Sequence, residues 1–111
     1  MSGNEIPWID LLEAWAEQIG LEVSVEMTAT NEAAHTALCA HFPTWLRGQV
    51  LRMGHPRPFW NVSQCGKEQW RCVMRFGRKR AVVGRADALD PVLSIMFAYN
   101  QARTYFSAPT A

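Results

Sequence analysis

The stretch EQWRCVMRFGRKRAVVGRA, residues 68–86, decides the fold. Its first half alternates between two sets of side chains, which are Trp70, Cys72, Met74 and Phe76 on one side and Arg71, Val73 and Arg75 on the other. This two-residue period is typical of a half-buried β-strand. Gly77, Arg78 and Lys79 favour a turn, and RAVVGRA (80–86) then predicts a second strand. The stretch therefore predicts a β-hairpin with one apolar face and one partly basic face.

The flanking residues add one strand before the hairpin and one helix after it. FWNVSQ (59–64) predicts another antiparallel strand, and Cys65-Gly66-Lys67 favours the turn that joins it to the hairpin. Asp87 or Asp90 can cap a last helix that has Pro91 in its first turn. The apolar stripe predicted for this helix comprises Val92, Ile95, Met96, Tyr99 and Phe106, broadened by Leu89 and Leu93.

The first 28 residues predict a helix followed by a strand. Asn4 can cap the helix and Gly20 can end it. Its apolar stripe comprises Trp8, Leu12, Trp15 and Ile19, widened by Leu11 and Ala16. LEVSVEMT (21–28) then alternates strictly between apolar and polar residues, which predicts a half-buried strand with an acidic outer face.

The middle of the chain is the part that its sequence determines least. Thr30 and the alanine-rich stretch NEAAHTALCAHF (31–42) predict a capped helix that Pro43 ends or kinks. Residues 44–53 fit either a short helix or, in QVLRM (49–53), a strand. GHPRPF (54–59) is an obvious connecting loop.

The predicted order of elements is α-β-α-(α)-β-β-β-α. This order indicates an α+β fold with two layers, in which an antiparallel sheet of three to four strands packs against helices. A chain of 111 residues suits one domain, so we predict a single domain over 1–111 with 107–111 as a frayed tail. No apolar run approaches the roughly 20 residues that span a bilayer. Since no secretory signal is evident either, we expect a cytoplasmic protein with no membrane partner.

Charge is divided sharply along the chain. Residues 1–46 contain seven acidic residues and no Lys or Arg, whereas residues 47–111 contain eleven basic residues and three acidic ones. The first part therefore has a net charge of −7 and the second a net charge of +8, within a total of +1. The two parts could neutralise each other locally or keep the protein soluble, or they could form binding surfaces.

No residue pattern points to one chemistry. Cys39, Cys65 and Cys72 match no metal-binding spacing, and GRKRAVVG (77–84) lacks the Lys-Ser/Thr ending of a phosphate-binding loop. Cys39 forms a nominal nucleophile pair with His35 or with His41. The small and apolar neighbours of these three residues favour their interpretation as core or boundary residues. We therefore predict a protein that is not an enzyme and that has no cofactor and no metal site.

Two charged faces are the candidate binding sites. The acidic one comprises Asp10, Glu13, Glu17, Glu22 and Glu26. The basic one comprises Arg71, Arg75, Arg78, Lys79, Arg80 and Arg85, with Trp60, Trp70 and Phe76 near enough to stack on bases. The helix–three-strand–helix order resembles the double-stranded RNA-binding domain, but Asp87 and Asp90 stand where that family has its phosphate-binding lysines.

Residues 59–103 resemble small phage-encoded α+β proteins of the phage ABA-sandwich kind. The resemblance lies in two Trp-centred strands (Trp60, Trp70) and in the Gly84, Ala86 and Pro91 pattern that opens an apolar helix. It implies a phage or prophage accessory protein, and anti-CRISPR proteins are the best-known group of this style.

We therefore expect a small protein-binding regulator, an anti-CRISPR-like inhibitor of a nucleic-acid-dependent host defence complex. Its partner would be a host protein or protein complex, steered to a charged surface by long-range attraction. The alternative is a nucleic-acid-binding domain that grips phosphate through the arginine-rich hairpin. A homodimer through an apolar sheet face of Val62, Val73 and Val82 is also left open.

Overall fold

A three-stranded antiparallel sheet and three α-helices make up the protein in the computed structural model, which describes residues 6–52 and 59–106. The elements in chain order are α1 (Trp8–Ile19), α2 (Asn31–Leu51), β1 (Phe59–Gly66), β2 (Gln69–Phe76), β3 (Ala81–Ala88) and α3 (Pro91–Phe106). The strand order is β1-β2-β3. The fold is mixed α+β with the order helix, helix, strands, helix, which confirms the predicted fold class.

The chain divides into two compact units, residues 1–45 and residues 46–111, and the division falls within α2. We call them the acidic unit and the basic unit, because their boundary lies within two residues of Arg47, the first basic residue of the chain. The prediction of a single domain over 1–111 stays a prediction. None of the helices within residues 6–52 and 59–106 combines the length and apolar character that a membrane span requires.

In the acidic unit, α1 buries the face that its sequence predicts. Trp8, Leu12, Trp15, Ala16 and Ile19 are buried. Gly20 ends the helix in the left-handed conformation (φ 69°), and its N–H donates to the carbonyls of the preceding turn. The predicted cap Asn4 lies outside the described residues. The side-chain oxygen of Asn31 accepts from the N–H of Ile9 (3.1 Å), a donor in the first turn of α1 that the helix itself cannot pair.

The strand predicted over residues 21–28 is wrong. Residues 21–24 form no regular element, and Glu26–Thr28 is one turn of 3₁₀-helix. Local hydrogen bonds curl the chain there, because the N–H of Met27 donates to the carbonyl and hydroxyl oxygens of Ser24 at 3.2 and 3.4 Å. The described part of the acidic unit also offers no strand for pairing. Val25, predicted to face the core, is 83% exposed.

α2 begins where predicted but does not stop at Pro43. The Thr30 hydroxyl accepts from the N–H of Ala33 (3.0 Å), as expected for the cap. The helix continues to Leu51, so the helical alternative for residues 44–51 is confirmed and the strand alternative is wrong. The buried Phe42 ring contacts Trp15 (5.2 Å between centroids) and Trp45 (5.8 Å). Burial of such a ring, about 1.5–3 kcal/mol, offsets the roughly 3 kcal/mol that an interior proline costs. The predicted connecting loop lies outside the described residues, as does the tail at 107–111.

In the basic unit, the three strands predicted from the sequence are confirmed, and so is the turn at Gly77. The first turn was predicted at Cys65-Gly66-Lys67, but β1 runs through Cys65 and Gly66, so the turn consists of Lys67 and Glu68. β1 pairs with β2, and β2 pairs with β3, all antiparallel. Gly77 and Arg80, with φ of 85° and 56°, close the second hairpin. Cys72 and Met74 are fully buried on the face of β2 that α3 covers. The predicted apolar face of β2 is therefore the inner face of this unit.

α3 begins at Pro91, and Asp90 rather than Asp87 is its cap. One carboxylate oxygen of Asp90 accepts from the N–H groups of Val92 (2.9 Å) and Leu93 (3.4 Å). Val92, Leu93, Ile95, Met96 and Tyr99 are buried as predicted. Leu89 was expected to broaden the stripe, but it precedes the helix and is 59% exposed. The side chain of Phe106 is not among those described.

α3 lies so close to β3 that one strand position has room only for glycine. A Cβ atom added to Gly84 would collide with the carbonyl oxygen of Ala98 and lie 3.1 Å from the Cβ of Ala102. The obstacle is helix backbone, which cannot rotate away as a flexible side chain could. Gly84 therefore sets the distance between the helix and the sheet.

We predict that Gly84→Ala lowers the free energy of unfolding by about 1 to 3 kcal/mol, the usual cost of overpacking. Gly48→Ala is the matched control, because a Cβ there meets nothing within 4 Å. Since Gly48 lies inside α2, its replacement should stabilise the protein by about 0.5–1 kcal/mol. Urea denaturation followed by circular dichroism measures both changes. Equal effects of the two substitutions would contradict the close approach at Gly84.

Candidate binding surfaces

The acidic helix face consists of Asp10, Glu13 and Glu17 on α1. All three side chains are exposed. Their spacings of three and four residues place them along one side of the helix, away from the buried stripe. Glu22 and Glu26 are also exposed, but they lie in the irregular segment and the 3₁₀ turn after α1. The helix thus groups three of the five predicted acidic residues, and the other two do not form the predicted sheet face.

The acidic helix face has no arginine or lysine partner inside its own unit, because residues 1–45 contain neither residue type. Glu13 and Glu17, four residues apart on a helix, repel each other, which costs a few tenths of a kcal/mol. The two repelling carboxylates lie together on an exposed side of the helix. The acidic helix face therefore carries three negative charges that no arginine or lysine of its own unit compensates, and such a concentration of like charge favours positively charged partners.

Arg71 belongs to a structural ion pair rather than to a free basic surface. Its Nε and Nη2 atoms donate to the two carboxylate oxygens of Asp87 at 2.8 and 3.0 Å. The two residues are direct neighbours across β2 and β3. The hydrogen bonds with Arg71 hold the pKa of Asp87 below its ordinary value, and the same pairing raises the pKa of Arg71. One of the six predicted basic residues is therefore neutralised locally.

Four of the remaining cations meet at the turn between β2 and β3, and we call Arg75, Arg78, Lys79 and Arg80 the basic hairpin. Arg75 Nη1 donates to the carbonyl oxygen of Arg80 (3.0 Å), which ties the strand to the turn. Arg78, Lys79 and Arg80 are exposed. The structure therefore brings these four predicted residues together.

The aromatic side chains predicted to accompany the basic residues lie elsewhere. Trp60 and Trp70 share the inner face with Cys72 and Met74, as the strand register shows. Phe76 contacts Tyr105 of α3 at 5.2 Å. The aromatic ring that does contact the basic hairpin is Phe59, which has the Arg80 guanidinium 4.4 Å from its centroid. Phe59 lies opposite Arg75 in the register, so alignment of the predicted strands could have found it.

Arg85, the sixth predicted basic residue, lies further along β3 and is exposed. Its backbone is paired with the side chain of Gln101 on α3. The N–H of Arg85 donates to the Gln101 amide oxygen (3.0 Å), and the Gln101 amide nitrogen donates to the carbonyl of Arg85 (2.9 Å). This reciprocal pair covers the outer edge of β3 at that residue.

The three valines proposed as a dimer contact do not share a face. Val62 pairs with Cys72 and therefore lies on the inner side of the sheet. Val73 and Val82 lie on the outer side, where Val82 is 50% exposed. The predicted apolar patch of three residues is wrong, and the homodimer stays a prediction.

The three cysteines occupy three different environments. Cys72 is fully buried, and burial raises the pKa of its thiol to about 12. Cys65 and Cys39 are exposed. The interpretation of Cys39 as a core or boundary residue is therefore wrong, and so is that of His41, which is exposed as well. The Cys39 sulfur lies 3.3 Å from Nε2 of the half-buried His35.

One apolar pocket lies in the basic unit, with a volume of about 330 Å³. Its lining consists of Arg47, Val50, Leu51, Phe59 and Trp60. The Arg47 guanidinium lies 5.7 Å from the centroid of the Trp60 ring, a distance that permits a cation–π interaction. The pocket holds a single charged group, so its lining offers no acid–base pair.

Comparison with protein-family models, with curated protein sequences and with solved structures finds no match for this chain. The resemblance of residues 59–103 to phage accessory proteins therefore stays a prediction.

The Arg71–Asp87 pair predicts a pH dependence. Because the folded protein lowers the pKa of Asp87 below its ordinary 3.8, the pair contributes its full stabilisation above that value and loses it as the pH falls through the lowered pKa. NMR titration of the Asp87 carboxyl carbon should give a midpoint below 3.8. Arg71→Gln should raise the midpoint, whereas Arg78→Gln should leave it in place. If Arg71→Gln left the midpoint unchanged, Arg71 would not be the cause of the lowered pKa of Asp87.

Proposed function

We propose that this protein is a small non-enzymatic regulator that binds another protein through the acidic helix face. The observation that supports this proposal is the agreement between charge and structure. The boundary between the two compact units falls within two residues of the boundary between the acid-only and the base-rich parts of the chain. An entire unit without Lys or Arg keeps its exposed carboxylates free of ion pairs to those residues within it.

The partner expected for such a surface has a groove lined with arginine and lysine. Along α1 the carboxylates of Asp10, Glu13 and Glu17 follow one another at axial steps of about 4.5 and 6 Å. Guanidinium groups bind carboxylates and phosphates with the same two-pronged geometry. A groove that normally holds a nucleic-acid backbone would therefore accept this helix.

The resemblance to phage accessory proteins gives the proposal its finer form. In that form the partner is a nucleic-acid-dependent defence complex of a host, and the protein is an anti-CRISPR-like inhibitor that occupies its phosphate-binding groove. Electrostatic steering would speed the encounter, and excess salt would slow it.

A capture experiment tests the proposal. Tagged protein is incubated with nuclease-treated host lysate, and we expect a stoichiometric protein partner that Glu13→Lys/Glu17→Lys fails to retain. Reversal of two charges on an exposed face should weaken binding at least tenfold, since close ion pairs at interfaces couple by about 1.5 kcal/mol or more.

The matched control is Glu32→Lys/Glu68→Lys, which changes the net charge equally at exposed positions outside the acidic helix face. It should retain the partner. Capture that survives the Glu13 and Glu17 reversal, or that both double variants lose alike, would contradict the proposed site.

The basic hairpin supports a second candidate function, which is binding to the phosphate groups of a nucleic acid. The observation that favours it is that four cations lie close together at one end of the hairpin. Arg75 donates a hydrogen bond to the Arg80 carbonyl, and the Arg80 guanidinium lies over the Phe59 ring. Arg71 does not add to this surface because Asp87 neutralises it.

Salt dependence tests the second candidate. Fluorescence anisotropy with an oligonucleotide should show affinity that falls between about 50 and 200 mM salt, because each phosphate contact releases counterions. Lys79→Gln should reduce the slope of log affinity against log salt by about 1. Lys67→Gln is the control, since it removes the same charge from the other hairpin turn. A flat salt response, or equal slopes for both variants, would rule out binding through the basic hairpin.

A further inference from the structure

Cys39 and His35 form a thiol–imidazole pair on the surface of α2. They lie four residues apart on the helix, and the distance from Cys39 Sγ to His35 Nε2 is 3.3 Å. Cys39 is exposed, so its sulfur is open to small molecules in solution. Neither residue belongs to the charged faces discussed above.

The imidazole of His35 has a defined position. Its ring packs against Trp8 of α1, with 4.4 Å between the ring centroids and an angle of 41° between the planes. Trp8 is itself buried, with 8% of its surface exposed. Side chains four residues apart on a helix point to the same side. The position of the imidazole next to the Cys39 sulfur is thus determined both by the helix that carries the two residues and by the contact with the Trp8 indole.

We propose that Cys39 is a reactive thiol that forms mixed disulfides with small disulfide molecules, with His35 as the acceptor of its proton. The thiolate is the nucleophilic form of cysteine, and a neighbouring imidazole promotes it by taking the proton. If the proton lies on sulfur, the thiol donates to Nε2. If it lies on Nε2, the imidazolium donates to the thiolate, and the same contact holds both forms.

The exchange is balanced in atoms and electrons. The Cys39 proton moves to His35 Nε2, and the thiolate attacks one sulfur of the small disulfide. A new S–S bond forms to Cys39 while the original S–S bond breaks. The departing thiolate then takes a proton from the imidazolium or from water. Cys39 is oxidised, and the departing sulfur is reduced.

The other two cysteines are internal references for this reactivity. Cys72 is fully buried and holds its proton, since burial raises the pKa of its thiol to about 12. Cys65 is exposed like Cys39, and no contact with a histidine is found for it among the described residues. Exposure does not distinguish Cys39 from Cys65. Cys65 lies near the Arg71 guanidinium, which is bonded to Asp87, whereas Cys39 contacts a histidine that can take its proton.

Site-resolved kinetics test the proposal on the full chain. Reduced protein in EDTA is mixed at pH 7 with excess oxidised glutathione, and mass spectrometry of the peptides gives the rate at each cysteine. We expect Cys39 to react about tenfold faster than Cys65, since an ordinary thiol is only a few per cent thiolate at that pH. Cys72 should remain unmodified in the folded protein.

His35→Phe keeps a ring against Trp8 and removes the proton acceptor. It should slow Cys39 about tenfold and leave the rate at Cys65 unchanged, with folding checked by circular dichroism. The comparison of Cys39 with Cys65 in the unaltered protein needs no substitution at all. Equal rates at these two cysteines, or a Cys39 rate that His35→Phe does not change, would overturn the proposal.

Discussion

The close approach of α3 to β3 is the constraint on which the basic unit depends. Because Gly84 has no side chain, the helix backbone at Ala98 can lie directly against the strand. The helix thereby covers Cys72 and Met74, the two fully buried residues on the apolar face of β2. Every arginine that alternates with those residues must then point outward. The outward position of Arg71 and Arg75 therefore follows from this packing requirement.

Once the arginines are outside, local partners decide which of them remain available. Asp87 lies opposite Arg71 and binds it through two hydrogen bonds. Arg75 is tied to a carbonyl, but its charge and those of Arg78, Lys79 and Arg80 have no carboxylate among the hydrogen bonds found for them. In the acidic unit no carboxylate can pair with an arginine or lysine of the same unit, because that unit contains neither residue type. The two units therefore carry opposite net charges for different reasons.

The sequence allowed prediction of the elements that a strong period or a special residue defines. The three strands, the helix ends at Gly20 and Pro91 and the cap at Thr30 are of this kind. Residues 21–28 alternate just as clearly, yet a strand also needs a partner, and periodicity says nothing about partners. Local preference left open whether Pro43 ends or kinks α2; the helix does not end there, and the contact of Phe42 with Trp15 lies beyond what local preference can predict. At the charged surfaces, residue type revealed the charges, but only the register revealed that Asp87 neutralises Arg71 and that Phe59 accompanies Arg80.

The pairing of Gln101 with Arg85 has a consequence for how the protein behaves at high concentration. An open strand edge is a template on which other chains can add strands and begin an aggregate. The Gln101 amide gives Arg85 one donor and one acceptor, as a residue of a neighbouring antiparallel strand would. The amide therefore occupies the place at Arg85 where a residue of a fourth strand would pair, and it leaves no backbone group there for another strand. Strand addition is therefore blocked at Arg85 while α3 stays in place.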